Sequence, residues 1–276
     1  MPIITLTTDF GTKDHAVAVV KGSIYSELPE VTIVDISHEI SPFHIIEASY
    51  IIQNAYQSFP KGSIHIIGID SEKNAENKHI AVQLDDHYFV CADNGLISLI
   101  TTEIKPQKIV EINIHKNTST NFPVLDVFVN VACHLARGGT LEVVGKITKE
   151  IKSFKGITPI VNVGDKQIVG SIIYVDNYGN LITNITRKLF ADIGKGREFV
   201  ITARNARFNK IYDRYSDAIN FELDKNKREE DGKKLAIFNS SGFLELAIYK
   251  SNPKTVGGAS SLFGLGFRDR ISIQFV

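Results

Sequence analysis

Along the first half of the chain, apolar residues alternate between continuous runs and a helical period. Residues 3–7 (IITLT) form a short apolar run that predicts a strand ending at Thr8-Asp9-Phe10-Gly11. Residues 14–28 follow with helical spacing and stop at Pro29. A second buried strand is predicted at 31–37 (VTIVDIS). Residues 44–58 return to the helical period, with Ile45, Ile46, Ala48, Ile52 and Ala55 on or near one face. The loop Phe59-Pro60-Lys61-Gly62 leads into a third strand at 63–70 (SIHIIGID). Further strands are predicted at 79–84 and 87–93, and a helix at 126–137 carries Val127, Val131, His134 and Leu135. This alternation predicts an α/β fold: an N-terminal, largely parallel sheet with helices on both faces. Ligands collect at the carboxyl ends of parallel strands, and four carboxylates, Asp9, Asp35, Asp70 and Asp93, fall at predicted strand ends.

From about residue 160 the pattern changes. Short alternating runs (IVNVG, QIVGSIIYVD, LITNIT, EFVITA, KLAIFNS, FLELAIYK, ISIQFV) are separated by Gly, Asn and Asp turns. They predict a smaller C-terminal antiparallel β domain or barrel. The boundary is expected near Gly156 to Pro159, giving domains of 1–160 and 161–276. The stretch 213–234, rich in Asp, Lys, Arg and Glu, reads as exposed and solvated rather than functional.

Composition narrows the function classes. Lys plus Arg is 31 and Asp plus Glu is 31, so no broad basic field favours nucleic acid or an anionic membrane. No apolar run approaches the ~20 residues of a membrane span, and the N-terminus has no targeting pattern, so a cytoplasmic protein is expected. Cys91 and Cys133 sit in apolar stretches and read as reduced core thiols. The eight histidines show no metal-ligand spacing, and neither a metal nor a cofactor is expected. Walker A and GxGxxG patterns are absent. The TDFG sequence lacks the surrounding signatures of a protein kinase.

Asp9 taken alone could bind a ligand or cap a turn. The longer segment TDFGTKDHAVAVVKG, from Thr8 to Gly22, resembles the opening signature of the S-adenosylmethionine hydroxide adenosyltransferase family, which is related to the S-adenosylmethionine-dependent fluorinases and chlorinases. IVDISHEISP (33–42), FPKGSIHIIGID (59–70) and ADNGLISL (92–99) resemble the family in order and spacing. So do GSIIYVDNYGNLITNI (170–185), FNSSGFLELAI (238–248) and GGASSLFGLG (257–266). The resemblance implies a homotrimer that binds a small-molecule nucleoside, S-adenosylmethionine or adenosine, at a subunit interface. By the same resemblance Asp9 holds the ribose hydroxyls, a task that suits a carboxylate facing a vicinal diol. Asp176 and Asn180 then hold the methionine portion, and Ser240 and Glu245 the adenine side. Ile248 and Ala259 lie near the base, and Phe122 is counted with the ligand contacts. Without the resemblance, DNYGN reads as a β-turn and Glu245 as an edge-strand charge.

The family reaction is displacement at the ribose C5′ carbon by water, with neutral methionine leaving. The resemblance assigns it to an Asp, an Arg and a His, carried by segments of the form DPGVGTxRR and TFHGRD. Here the first segment reads from Asp70 to Lys78 and keeps the aspartate as Asp70, while the arginine position holds Asn77. In the second segment the histidine position holds Pro123, which has no side-chain donor. Two of the three groups are therefore replaced. Three readings follow: Lys73, Lys78 or His79 supplies the missing charge; Asp70 acts alone as a general base; or the protein binds without hydrolysis or acts on another 5′-substituted adenosine. A carboxylate at Asp70 argues against halide as the nucleophile.

Overall fold

A computed structural model of the chain describes residues 3–101, 104–114, 120–154, 156–162, 164, 166–228, 230 and 232–276. The chain divides into two compact units between Gly156 and Ile157.

The first unit runs β1 (Ile3–Thr8), α1 (Ala16–Glu27), β2 (Thr32–Ser37), α2 (Ile45–Ala55), β3 (Ile64–Gly68), β4 (His79–Leu84), β5 (His87–Ala92), α3 (Leu96–Ile100), β6 (Lys108–Ile112), α4 (Val129–Ala136), α5 (Leu141–Val144) and β7 (Gly145–Ile147). Its seven-stranded sheet has the order β2-β1-β3-β5-β4-β6-β7. The neighbours β2, β1, β3 and β5 are parallel. From β5 outward the pairings are antiparallel, so the sheet is mixed rather than uniformly parallel. The cause lies in the β4–β5 connection. Only Asp85 and Asp86 separate the strands, both at positive φ (51° and 61°), and a two-residue turn of this kind can only make a hairpin.

The strands are apolar because both faces are covered. Ile4, Leu6, Ile64, Ile66 and Val90 pack on one side with Val20 and Ile24 of α1 and Val131 and Leu135 of α4. On the other side Ile67, Ile80, Val82, Phe89 and Cys91 meet Ala48 and Ile52 of α2 and Leu96 and Ile97 of α3. Cys91 and Cys133 belong to opposite faces, both free and buried. Burial raises both thiols, Cys133 to about 11, so neither is a ready nucleophile. The helix expected at 126–137 starts earlier, as a π-helical turn over Val124–Phe128 that leads into α4.

The second unit contains β8 (Ile160–Val161), β9 (Gln167–Val175), β10 (Leu181–Thr186), α6 (Arg187–Gly194), β11 (Phe199–Ala203), β12 (Ala206–Phe208), β13 (Lys234–Phe238), β14 (Phe243–Ile248), α7 (Ala259–Phe263) and β15 (Arg270–Phe275). The strand order β12-β11-β15-β9-β10-β14-β13, with β8 on β9, is antiparallel throughout and makes a nearly closed, barrel-like sheet. Ile168, Ile172, Leu181, Ile201, Leu246 and Ile273 fill its core. The stretch 213–234 is not simply solvated. Ala218 and Ile219 are buried, and Ala218 packs with Leu235, Ile237 and Ala247. Glu229 and Asp231 of that stretch lie outside the described residues. Among the described residues no helix is long and apolar enough to cross a membrane.

Candidate functional site

Each unit carries a cavity lined by both polar and apolar side chains. In the first, the β1–β3 register pairs Thr8 with Gly68, so the chain leaves both strands at the same edge. Asp9 follows β1 directly and Asp70 follows β3 by two residues, and both line a cavity of about 420 Å³. Phe10, Phe43, Ser71, Glu72, Asn121 and Pro123 are among the other lining residues. Gly68, at the end of β3, packs behind the Phe10 wall of the cavity and leaves no room for a side chain. A Cβ there would lie 2.9 Å from Val124 Cγ2, 3.1 Å from Thr8 Cγ2 and 3.2 Å from the Phe10 ring.

The cavity is held in place by specific bonds. The Phe43 backbone N–H donates to Asp9 Oδ2 at 2.8 Å. Asn77 Nδ2 donates to Asp70 Oδ2 at 3.3 Å. Phe43 and Asp70 both adopt positive φ (60° and 43°), a conformation non-glycine residues leave where they can, and one that concentrates at functional sites. Burial raises the Asp9 carboxyl above its ordinary range, and the nearby Asp70 charge pushes the same way, against the lowering bond from Phe43. A cationic or hydroxyl-rich ligand relieves this crowding; an anion worsens it.

Asp35 and Asp93 do not line the cavity. Asp35 points to Lys21 at 2.5 Å and lies 3.1 Å from His38 Nε2. Asp93 accepts the Lys152 backbone N–H at 2.9 Å. Phe122 packs edge-on against Phe10, with 5.6 Å between ring centres, and so braces the wall from behind. Of the three candidates for the missing charge, Lys78 pairs with Glu111 at 2.9 Å, and His79 Nε2 sits 2.9 Å from the Ser71 carbonyl oxygen, with burial lowering its pKa. Lys73 is exposed.

In the second unit, Asp176, Asn180 and Ile248 line a cavity of about 400 Å³ together with Tyr178, Tyr215, Tyr249, Lys250 and Ser251. The DNYGN turn is rigid. Asp176 Oδ1 accepts the backbone N–H groups of Tyr178 (2.9 Å) and Asn180 (2.8 Å), and Asp176 Oδ2 accepts Asn180 Nδ2 at 2.9 Å. Asn180 therefore spends its NH₂ on Asp176 and leaves Oδ1 buried and without a partner among the described residues. A buried acceptor of this kind calls for a donor. Glu245 is buried on β14 and accepts the Tyr215 hydroxyl at 2.8 Å. Burial raises its carboxyl; Tyr215 lowers it, and the Asp176 charge raises it again. Glu245 does not itself line the cavity; the Asp176 carboxylate and the unpartnered Asn180 carbonyl oxygen suit an ammonium group. Ser240 lies exposed in the turn between β13 and β14, and Ala259 is buried at the start of α7; neither lines the cavity. The start of α7 instead fixes the DNYGN turn, since Ser260 N–H donates to the Gly179 carbonyl at 2.9 Å.

Tyr215 and Glu72 are cavity residues that the sequence pattern did not mark. Tyr215 lies in the charged stretch, where composition hides a single aromatic ring. Glu72 stands in the loop after Asp70, and only the turn of that loop brings it to the cavity.

Residues 4–145 match the profile of the SAM hydroxide adenosyltransferase N-terminal domain, and residues 170–272 that of the C-terminal domain. An (R)-S-adenosyl-L-methionine hydrolase from Methanocaldococcus jannaschii is 29% identical over 286 residues, covering 100% of this chain and 97% of its own length. A fluorinase from Nocardia brasiliensis is 25% identical over 280 residues, covering 89% of this chain and 90% of its own. The solved structure of an uncharacterized conserved protein from Thermotoga maritima superposes with a TM-score of 0.82 at 29% identity, covering 99% of this chain and 100% of its own.

Proposed function

The chain belongs to the SAM hydroxide adenosyltransferase family, and on that premise we propose that it binds S-adenosylmethionine and hydrolyses it to adenosine and L-methionine. The observation that carries this reading is the convergence of Asp9 and Asp70 on one cavity at the edge of β1 and β3. Asp9 takes the ribose diol, and Asp70 orients the attacking water. The water oxygen bonds to C5′ while the C5′–S bond breaks, and its electron pair neutralises the sulfonium. Because methionine leaves as a neutral thioether, no general acid is needed. The one proton released passes from water to Asp70 and on to solvent. The carboxylates Asp9, Asp70 and Glu72 favour a sulfonium over a halide.

The methionine ammonium is held by Asp176 with Asn180 Oδ1, and Glu245 reinforces the negative field there. Ser240, Ile248 and Ala259 belong to the adenine side. The complete site forms in a homotrimer, with the ribose half from one protomer and the methionine half from its partner.

A second reading, binding of an adenosine-containing ligand without turnover, is favoured by one observation: Pro123, at the position of the family histidine, lines the cavity and offers no donor. One experiment separates the two. Purified protein is incubated with S-adenosylmethionine, adenosine is followed by chromatography, and binding is measured by calorimetry. Hydrolysis predicts adenosine from the wild type and at least about a hundredfold less from Asp70→Asn, with binding retained. Saturable binding with no adenosine above the Asp70→Asn level establishes the second reading.

A further inference from the structure

Asn77 stands where the family pattern has arginine, and its side chain lies between two charged groups. Nδ2 is 3.3 Å from Asp70 Oδ2, and Oδ1 is 3.3 Å from Lys152 Nζ. A carboxylate only accepts and an ammonium only donates, so one orientation of the amide satisfies both: NH₂ toward Asp70, carbonyl oxygen toward Lys152. We propose that Lys152, acting through Asn77, is a positioning residue for Asp70 and takes over part of the task of the missing arginine. The inference rests on the reading of Asp70 as the group that orients water.

Both ends of this relay are anchored. Asn74 Oδ1 accepts the backbone N–H groups of Glu76 (2.8 Å) and Asn77 (2.9 Å), and the Asn74 N–H donates back to the Asn77 carbonyl at 3.1 Å. This closed turn buries Asn77 to 7% exposure and presents its amide to Asp70. Lys152 is tied through its own backbone N–H to Asp93, the residue after β5, which neighbours β3 in the sheet. The lysine and the aspartate it serves thus hang from adjacent parallel strands.

The chemistry follows from the geometry. An ammonium on the amide oxygen draws electron density from the nitrogen and makes its N–H a better donor to the carboxylate. It also prevents the amide from flipping, which would set a carbonyl oxygen against Asp70. The positive charge acts at one remove, so its effect is smaller than that of a directly bonded guanidinium. The position lies far along the chain from the family motif, and no scan of the 70–79 segment could find it.

The test combines kinetics with a readout that does not need turnover. Lys152→Met is expected to lower kcat about tenfold with ligand affinity within about twofold, because the group acts on orientation and not on binding. Lys152→Arg restores most of the rate, whereas the exposed Lys188→Met leaves it unchanged. Adding Lys152→Met to Asn77→Ala costs little beyond Asn77→Ala alone, since the two act as a unit. In parallel, the Asn77 side-chain amide resonances, assigned by their loss in Asn77→Ala, move in Lys152→Met and not in Lys188→Met. An unchanged kcat in Lys152→Met, or Asn77 resonances that ignore Lys152, overturns the relay. If the wild type makes no adenosine while the resonances still respond to Lys152, hydrolysis fails and the relay stands.

Discussion

Tyr215→Phe removes one hydroxyl and tests how the second cavity is held. That hydroxyl donates to the buried carboxylate of Glu245 at 2.8 Å. A hydrogen bond to a charged group contributes ~1.5–3 kcal/mol, and a neutral one ~0.5–1.5 kcal/mol. Tyr215 is 42% exposed, so water can replace part of the lost bond and the lower end of each range applies. The pH dependence has a definite sign. Burial and Asp176 hold the Glu245 carboxyl above its ordinary value, while Tyr215 pulls it down. Folded protein therefore keeps this proton to higher pH than the unfolded chain does. The group's stabilisation is present below the unfolded pKa of ~4.3 and is lost as pH rises through the raised folded value. Deleting the phenol raises the folded value further, so the variant is more destabilised near neutrality than near pH ~4. Urea unfolding at the two pH values should give losses of ~1.5 and ~0.5 kcal/mol. Equal losses at both, or a larger loss in acid, would refute the assignment of this bond to an ionisable Glu245.

Asp9→Ala should weaken binding of S-adenosylmethionine about 10- to 100-fold, the worth of ~1.5–3 kcal/mol of charge-assisted bonds. It should also abolish the wild type's preference for adenosine over 2′-deoxyadenosine in calorimetry; a variant that still discriminates would place the ribose elsewhere. Gly68→Ala adds a methyl 2.9 Å from Val124 and 3.2 Å from the Phe10 ring. It should cost ~1–3 kcal/mol in denaturant unfolding and impair ligand binding, because relief requires moving the cavity wall. His65 is buried on the sheet beside Thr5 and His87, and burial lowers its pKa to about 3. Its imidazole should stay neutral by proton NMR down to about pH 4, and the first unit should lose stability as pH falls below ~6.5, where only the unfolded chain takes up this proton.

Much of the fold was legible because its signals are local. The apolar runs at 3–7 and 63–70 and the helical spacing at 14–28 and 44–58 each occupy one element, and both faces of the resulting strands are covered as such runs require. The mixed pairing was also implicit in the sequence, since two residues between strands at 79–84 and 87–93 permit only a hairpin. Cavity-lining residues were legible at strand ends for Asp9 and Asp70, whereas Asp176 and Asn180 were marked only through the family resemblance, their turn alone reading as a β-turn. Strand ends alone overcounted: Asp35 and Asp93 have the same sequence setting but are occupied by Lys21 and by the Lys152 backbone. The contributions of Tyr215, Glu72 and Lys152 depend on loop paths, and hydrophobic periodicity carries no information about those.

In the proposed reaction, water attacks C5′ of the bound sulfonium under the direction of Asp70. The most direct test is turnover in isotopically heavy-oxygen water, with both products weighed by mass spectrometry. Heavy oxygen is expected in the 5′-hydroxyl of adenosine, with none in methionine and no labelled adenosine from Asp70→Asn. Adenosine that carries only ordinary oxygen, or the same labelled yield from Asp70→Asn, would contradict that reaction.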